Sequence, residues 1–538
     1  MRASFVSLVG VFALSAAACG TSTIIFEDDC GDQLRPTGVC VDGCGGESLP
    51  ECIDGQWLCA PSPFCEDCGP LPDIACDDGC GGFTSPLCTE VGWECPPALD
   101  CPDPGSQKTA EWSESFGGPD YEFVERVAMD GDGNVYVAAS FRDSILVGGG
   151  ELISTGGYDA IISKYDGKGQ RLWTQQVTGA GDELIHGLEV HPEGSLLVLR
   201  SSSTANMANP PKAGPAELAR LSLADGGLLS TQALGLSLGE TGRTHLAVAP
   251  GVGTIFLSGP FSDELTFFAG TLTGVGQSDG FLIALDAQGN HLWSRVIGST
   301  GSDYLVGLDA DGAGDVFVSG SCYAAVTLDN LTLTPQSGFD GFVVKLSSTG
   351  EAQWGAMLRN GGWAQIGDVA AVGDGGAVVT GTFDEGAAKL GANTLPVTAG
   401  AEVEAMVGRI GAAGEVIWAR AAGPARPPSM PQHKGWHATV DQQGAFMLAG
   451  SVLDVSSSGH STSILLARLD PESGATQWSE TYGDTFSDSV GDVAHGEGTL
   501  ALVGEFFGGM NFGNGNLDGN IQGAGFVALF TTDAPAAL

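Results

Sequence analysis

Aspartates recur at one place in a repeating pattern. Asp120, Asp182, Asp303 and Asp488 each stand in a Gly-rich loop just ahead of an apolar run, and Glu240 fills the corresponding place once. A carboxylate there caps its own turn by accepting hydrogen bonds from nearby backbone N–H groups. Alternatively, if the loops converge, the carboxylates form a ring that binds a hard cation such as Ca2+, or a cationic ligand. Asp130, Asp132 and Asn134 in DGDGN resemble a fragment of a calcium loop, but the distal Glu is missing and the stretch fits a hairpin turn better. His433 and His437 are spaced i, i+4 in PQHKGWH. That spacing ligates a metal on a helix, and Pro427, Pro428 and Pro431 argue for a loop instead. His186 and His191 bracket an apolar strand and read as structural. Cys322, alone on DVFVSGSCY, reads as a buried thiol. HExxH and phosphate-binding loops do not occur in the sequence, and the reading nominates no catalytic residue and no metal site beyond the calcium option.

A second set of chemistry-bearing residues is a cysteine array: Cys30, Cys40, Cys44, Cys52, Cys59 and Cys65, then Cys68, Cys76, Cys80, Cys88, Cys95 and Cys101. The gaps are 9, 3, 7, 6 and 5 residues in the first half and 7, 3, 7, 6 and 5 in the second, and DGC-GG recurs in both. This is a tandem duplication, with six-Cys modules at 30–65 and 66–101. Modules this small bury too little apolar area to fold unaided and need covalent links or metal. Neither contains a His or an internal C-x2-C knuckle, so three disulfides per module are expected, with the pairing left open. Their expected role is a rigid stalk or spacer.

The elements that position the aspartates emerge from the Trp spacing. Trp112, Trp173, Trp293, Trp354, Trp418 and Trp478 are separated by 61, 120, 61, 64 and 60 residues. The step of 120 is double, and its missing member falls near Leu229. Each unit alternates apolar and polar residues in short runs between Gly, Asp and Asn turns, as in FLIALDAQGNHLW, which is the pattern of antiparallel strands. Seven units of about four strands predict an all-β, seven-bladed propeller over 110–538, after a linker at 102–109. The last unit lacks a Trp strand and the first begins with an unpartnered one, AEWSESFGG. The N-terminal strand is therefore expected to complete the last blade and close the ring.

The repeat resembles the bacterial SBBP-type propeller family. The carriers are D-G-F-(V/L)-x-K-L-x-x-x-G-x-x-x-W, G-x-G-x-D and V-x-x-D-x-x-G-N-V-Y-V, matched best at 120–138 and 338–354. That resemblance implies a fold and carries no catalytic residues. LDPESGATQW also resembles quinoprotein repeats, which would imply a pyrroloquinoline quinone cofactor with calcium. Lipidation and Trp turns together resemble the outer-membrane assembly lipoprotein propellers.

The first 18 residues, MRASFVSLVGVFALSAAA, read as a secretory signal, and Cys19-Gly20 after them resembles a lipobox whose Cys is acylated. Residues 20–29 form an acidic tether. A net charge of −44 argues against nucleic-acid binding through a basic surface. The expectation is a monomeric, non-enzymatic lipoprotein of the bacterial cell envelope, held to a membrane by its N-terminal lipid. Its propeller would bind a protein or glycan. The alternatives are a quinoprotein-like enzyme and an outer-membrane assembly scaffold.

Overall fold

The structure, a computed structural model, describes residues 108–119, 122–203, 214–238, 244–336, 338–384, 386–397, 403–424, 436–441, 444–453, 462–483, 486–518 and 523–532, and eight short strands before residue 95. The chain divides into two compact units, residues 1–106 and 107–538.

In the first unit, Cys40–Val41 pairs with Glu47–Ser48 and Glu51–Ile53 with Gln56–Leu58. Cys76–Asp77 then pairs with Phe83–Thr84 and Leu87–Thr89 with Gly92–Glu94. Each strand of the second set begins 36 residues after its counterpart, as 76 follows 40. The two halves of the array therefore share a backbone plan. Cys19, the signal stretch and the side chains of the cysteine array lie outside the described residues.

The second unit is a ring of seven four-stranded antiparallel sheets. In blade 1 the order from the axis outwards is Phe123–Met129, Val135–Phe141, Asp159–Tyr165, Arg171–Val177. Blades 2 to 6 repeat this meander. Blade 7 takes Ser489–Gly496, Thr499–Phe506 and Ala524–Thr531 from the C-terminal end and Trp112–Phe116 from the N-terminal end. Leu529 pairs with Trp112 and Gly525 with Phe116, so the ring closes as the unpartnered Trp strand implied.

The two middle strands of a blade are covered on both faces by neighbouring blades. Every residue of Val135–Phe141, Asp159–Tyr165, Asp279–Leu285 and Asp340–Leu346 is buried. This is why they read as near-continuous Val, Ile, Leu and Phe. The turns between strands are set by one device. Asp130, Asp166, Asp286 and Asp311 each accept hydrogen bonds on Oδ1 from the N–H groups two and four residues on, at 2.8–3.0 Å. The DGDGN stretch is such a turn.

The repeated Trp and Gly face each other across blade boundaries. A Cβ on Gly350, at φ +83°, would lie 2.8 Å from Trp293 Cδ2 of the preceding blade. Gly169 meets Trp112, Gly226 meets Trp173, Gly414 meets Trp354 and Gly474 meets Trp418 in the same way. The indole N–H groups of Trp173, Trp293 and Trp418 donate to the carbonyls of Leu223, Ser348 and Pro471 in those turns, at 2.8–3.2 Å. The Gly-x-x-x-Trp spacing thus encodes a bond between blades. The missing Trp of blade 2 is Ser230, one residue beyond Leu229, because Ser230 pairs with Arg220 as Trp293 pairs with Ala284. Gln232 takes over the contact and donates to the Gly289 carbonyl at 2.9 Å.

The blades are four-stranded as expected, and in blades 1, 3, 4, 5 and 7 the chain adds a short two-stranded hairpin between the second and third strands. The insertions include Ser144–Val147 with Gly150–Ile153 and Ala388–Leu390 with Asn393–Leu395. They reach back to the outer strand of the preceding blade: Leu146 N–H donates to Gly117 O at 2.7 Å, Phe268 N–H to Leu234 O at 2.8 Å, and Leu390 pairs with Leu358. The hairpin explains a period near 61 residues, and it partners outer-strand backbone groups that would otherwise present a bare sheet edge.

Candidate functional site

The inner strands enclose a central cavity of about 610 Å³. Each inner strand of blades 1, 2, 4, 5 and 7 carries a bulge, after Val124, Ile185, Leu305, Ile366 and Val490. A bulge re-aims the residues that follow it. Register places Arg126, Asp368 and Asp492 at one level of the channel wall, with His245 and His437 at the equivalent positions of blades 3 and 6. Blades 2 and 4 have Gly187 and Gly307 there, because a Cβ would strike Leu246 or Ser319 at 2.4 and 2.3 Å. Two residues further along the strands, Glu189 and Asp309 share a level with Ala128, Ala247, Ala370 and Ala494.

Three of the wall carboxylates tie one blade to the next. Asp492 accepts the N–H of Val493 on Oδ1 at 2.8 Å and that of Val127, in blade 1, on Oδ2 at 3.1 Å. Asp368 does the same with Val369 and with Ala438 of blade 6, at 2.9 and 3.1 Å. Asp309 bonds Ala310 and Ala371 of blade 5, at 2.8 and 2.7 Å. Arg126 Nε donates to the His186 carbonyl of blade 2 at 2.7 Å. His437 Nδ1 stands 3.6 Å from Asp368 Oδ2. Glu189, half-buried, has no hydrogen-bond donor among the described residues.

The electrostatics follow from enclosure. Burial pushes Asp309 up to about 6 against the pull of its two amide bonds. It also raises Asp492, despite the nearby Arg126 and His437 charges. Burial, and then the Asp309 and Asp492 charges, lifts Glu189 well above the carboxylate range. Burial alone would lower His437, but its hydrogen bond to Asp368 and the Asp368 and Asp492 charges raise it. The wall therefore favours positive charge.

Of the aspartates singled out ahead of the inner strands, Asp488 lines the cavity, and Asp182 and Asp303 do not. Asp303 is fully buried and accepts the Ser299 N–H at 2.5 Å and the Ser299 hydroxyl at 3.0 Å, a cap on its own turn. Asp182 accepts the Tyr158 N–H at 3.1 Å and the Ser203 hydroxyl at 3.4 Å. Asp488 lines the cavity and accepts the Phe507 N–H at 3.4 Å. Asp120, Glu240 and His433 fall outside the described residues. His437 stands on the inner strand Trp436–Val440, where a loop was expected. His186 is buried, its Nε2 2.7 Å from Ser201 Oγ, and burial drops it to about 3. Cys322 is buried and free. Among the described residues no cluster of three or more His, Cys, Asp or Glu has a metal-holding arrangement.

Two groups escaped the sequence reading. The channel residues were one, although GDVA at 367–370 and again at 491–494 carries Asp368 and Asp492 in matching staples. The others are the acids that open the third strands. Asp279 Oδ2 accepts the N–H groups of Val275 and Gly276 at 2.7 and 3.0 Å, and Asp340 Oδ2 that of Gln336 at 2.6 Å. These acids meet the next blade's acids in pairs. Burial, with the Asp279 charge as a lesser cause, pushes Asp303 up to about 6. Burial, then the charge and hydrogen bond of Asp159, pushes Glu183 up to about 7.

No protein-family model matches the chain, and no curated relative matches it. The fold is similar to solved propellers. BamB from Moraxella catarrhalis is 13% identical, with 74% of this chain and 98% of that one covered at a TM-score of 0.31. The quinohemoprotein alcohol dehydrogenase from Comamonas testosteroni is 12% identical, covering 80% of this chain and 77% of that one at 0.34. The β-propeller domain of the trilobed protease from Pyrococcus furiosus is 8% identical, covering 74% and 95% at 0.38. At these identities the likeness concerns architecture alone, and the protein is an all-β, seven-bladed propeller scaffold.

Proposed function

We propose that the chain is a non-enzymatic binding propeller of the bacterial cell envelope. The observation that carries this reading is a rigid, closed ring whose loop face presents bulky apolar side chains to solvent. Tyr323 is 52% exposed, Phe486 51% and Val275 60%. Tyr323 packs on Phe339 with ring centroids 4.8 Å apart, and Phe339 on Tyr304 at 6.0 Å. Aromatic groups held in place by a stiff scaffold recognise protein or glycan surfaces at little entropic cost. In this reading Cys19 is acylated and holds the chain to a membrane, the six-Cys modules are disulfide-linked spacers, and the repeat is of the SBBP type. Two measurements test it. Labelling with an alkyne fatty acid should mark the chain and not its Cys19→Ala variant. Capture from envelope extracts should yield one partner with the intact chain and lose it with Tyr323→Ala. A cofactor absorbance band or bound calcium in the purified protein would shift the reading to a quinoprotein-like enzyme.

A further inference from the structure

We infer that the central channel, apart from the loop face, is a binding site for a small organic cation whose primary ammonium is held by Glu189. The cavity is large enough for such a molecule, at about 610 Å³. At the Glu189 level the lining includes the small side chains of Ala128, Ala370 and Ala494, which leave space beside it.

The hydrogen-bond inventory singles out Glu189. Asp309, Asp368 and Asp492 each accept a backbone N–H on both oxygens. Glu189 accepts none among the described residues, and its side chain lines the cavity. Its neighbours in charge are Asp309 and Asp492, which repel it. Arg126 and His437 are set against Asp492 and Asp368 one level away. The cavity lining holds six carboxyl groups, Glu189, Asp309, Asp368, Asp488, Asp492 and Glu505, with Arg126 as its one Arg or Lys among the described residues, and an unpaired carboxylate calls for a cation or a proton.

A second feature also points to a ligand. His437 lines the same cavity, and its Nε2 is buried with no hydrogen-bond partner. A hydroxyl on the bound amine would satisfy it. A hard metal ion suits the wall poorly. Ca2+ takes roughly six to eight oxygens, and around Glu189 the staples have committed both oxygens of Asp309, Asp368 and Asp492. An ammonium needs only about three acceptors, which Glu189 and the remaining lone pairs of Asp309 supply. The enclosed wall also strengthens a charge-assisted bond.

Isothermal calorimetry on the full chain, with ethanolamine and putrescine as probes, tests this. At least one should bind saturably at one site, and Glu189→Gln should weaken it about tenfold. That variant breaks no hydrogen bond within the protein and removes a carboxylate that burial and like charges disfavour, so it should fold and melt no lower than the parent. Choline, which lacks N–H donors, should bind more weakly than ethanolamine. A second measurement does not depend on the variant. Asp309, Asp368, Asp488, Asp492, Glu505, Arg126, His245, His437 and His495 line the cavity with Glu189, and burial with the Asp309 and Asp492 charges raises Glu189 when the channel is empty. An ammonium held by Glu189 would lower it again, so binding should release protons and the apparent binding heat should vary with the ionisation heat of the buffer. The inference is overturned if neither amine binds, if Glu189→Gln binds equally well, or if CaCl2 displaces the amine stoichiometrically. None of these results bears on envelope capture through Tyr323.

Discussion

Replacing Gly350 by Ala should separate the turn strain from the contact between blades. At φ +83° an Ala is strained by about 1–2 kcal/mol. Its Cβ would also lie 2.8 Å from Trp293 Cδ2, so the indole must move. Moving it breaks the 2.8 Å bond to the Ser348 carbonyl, a loss of about 1 kcal/mol. The expected total is about 2–4 kcal/mol. Gly133→Ala is the control. Gly133 has φ +78°, and a Cβ there would meet nothing within 4 Å, leaving strain alone, about 1–2 kcal/mol. Urea titrations read at a common slope give the difference. A Trp293→Leu background should remove the contact part of the Gly350→Ala loss and leave the strain. Equal losses for the two glycine variants, or no coupling to Trp293, would refute the claim that Gly and Trp form the blade-to-blade bond.

Further outcomes are expected. Glu183 is raised to about 7, so its contribution to stability is full below pH 4 to 5 and disappears as pH rises through 7. Glu183→Gln should thus gain stability relative to the parent between pH 5 and pH 8. The shift corresponds to at most about 3 kcal/mol, reduced to about 1–2 by screening in the loop, and melts at the two pH values measure it. Deleting 108–118 should lower the melting temperature of the propeller far more than deleting 20–101, because only the first removes the closing strand. Cys322, with burial pushing its thiol up to about 12, should resist alkylation in the native protein. It should be the one residue labelled after unfolding without reductant if Cys19 is acylated and the cysteine array is fully paired. Asp368→Asn keeps an acceptor for one amide and loses the charge beside His437, so the raised His437 should fall towards its ordinary value, visible as a shifted imidazole titration by NMR.

The sequence was legible where one residue type answers to one constraint repeated around the ring. Trp at intervals near 61 and Asp-x-x-Gly turns recur because every blade boundary and every hairpin poses the same problem. The closing strand could be read from an unmatched Trp112. The inserted hairpins were harder to see. Segments such as SILVGGGELI have only four residues per arm, with exposed and buried positions mixed, so they resemble loop. The channel was hidden for a different reason. Most of its residues differ from blade to blade (Arg126, Glu189, His245, Asp309, Asp368, His437, Asp492), since seven side chains meeting on one axis must complement one another rather than repeat. A repeat search rewards identity, and the channel wall is where identity fails.

The closing strand also has a mechanical side. Whatever precedes residue 108 pulls on the propeller through the segment that leads into Trp112. Before any force reaches the Trp112–Phe116 strand it must pass Lys108, whose ammonium lies 5.3 Å from the Trp478 ring centre and whose carbonyl accepts the Tyr482 hydroxyl at 2.6 Å. It must also pass Ala110, whose N–H donates to Phe512 O at 2.8 Å. These contacts belong to blade 6 and to the hairpin of blade 7, so a tug on the N-terminal side is shared between two blades. The pairs to Ala524–Thr531 are loaded only after these give way. For a chain held by one end, the joint nearest the tether would act as a clamp and the ring would stay shut under load.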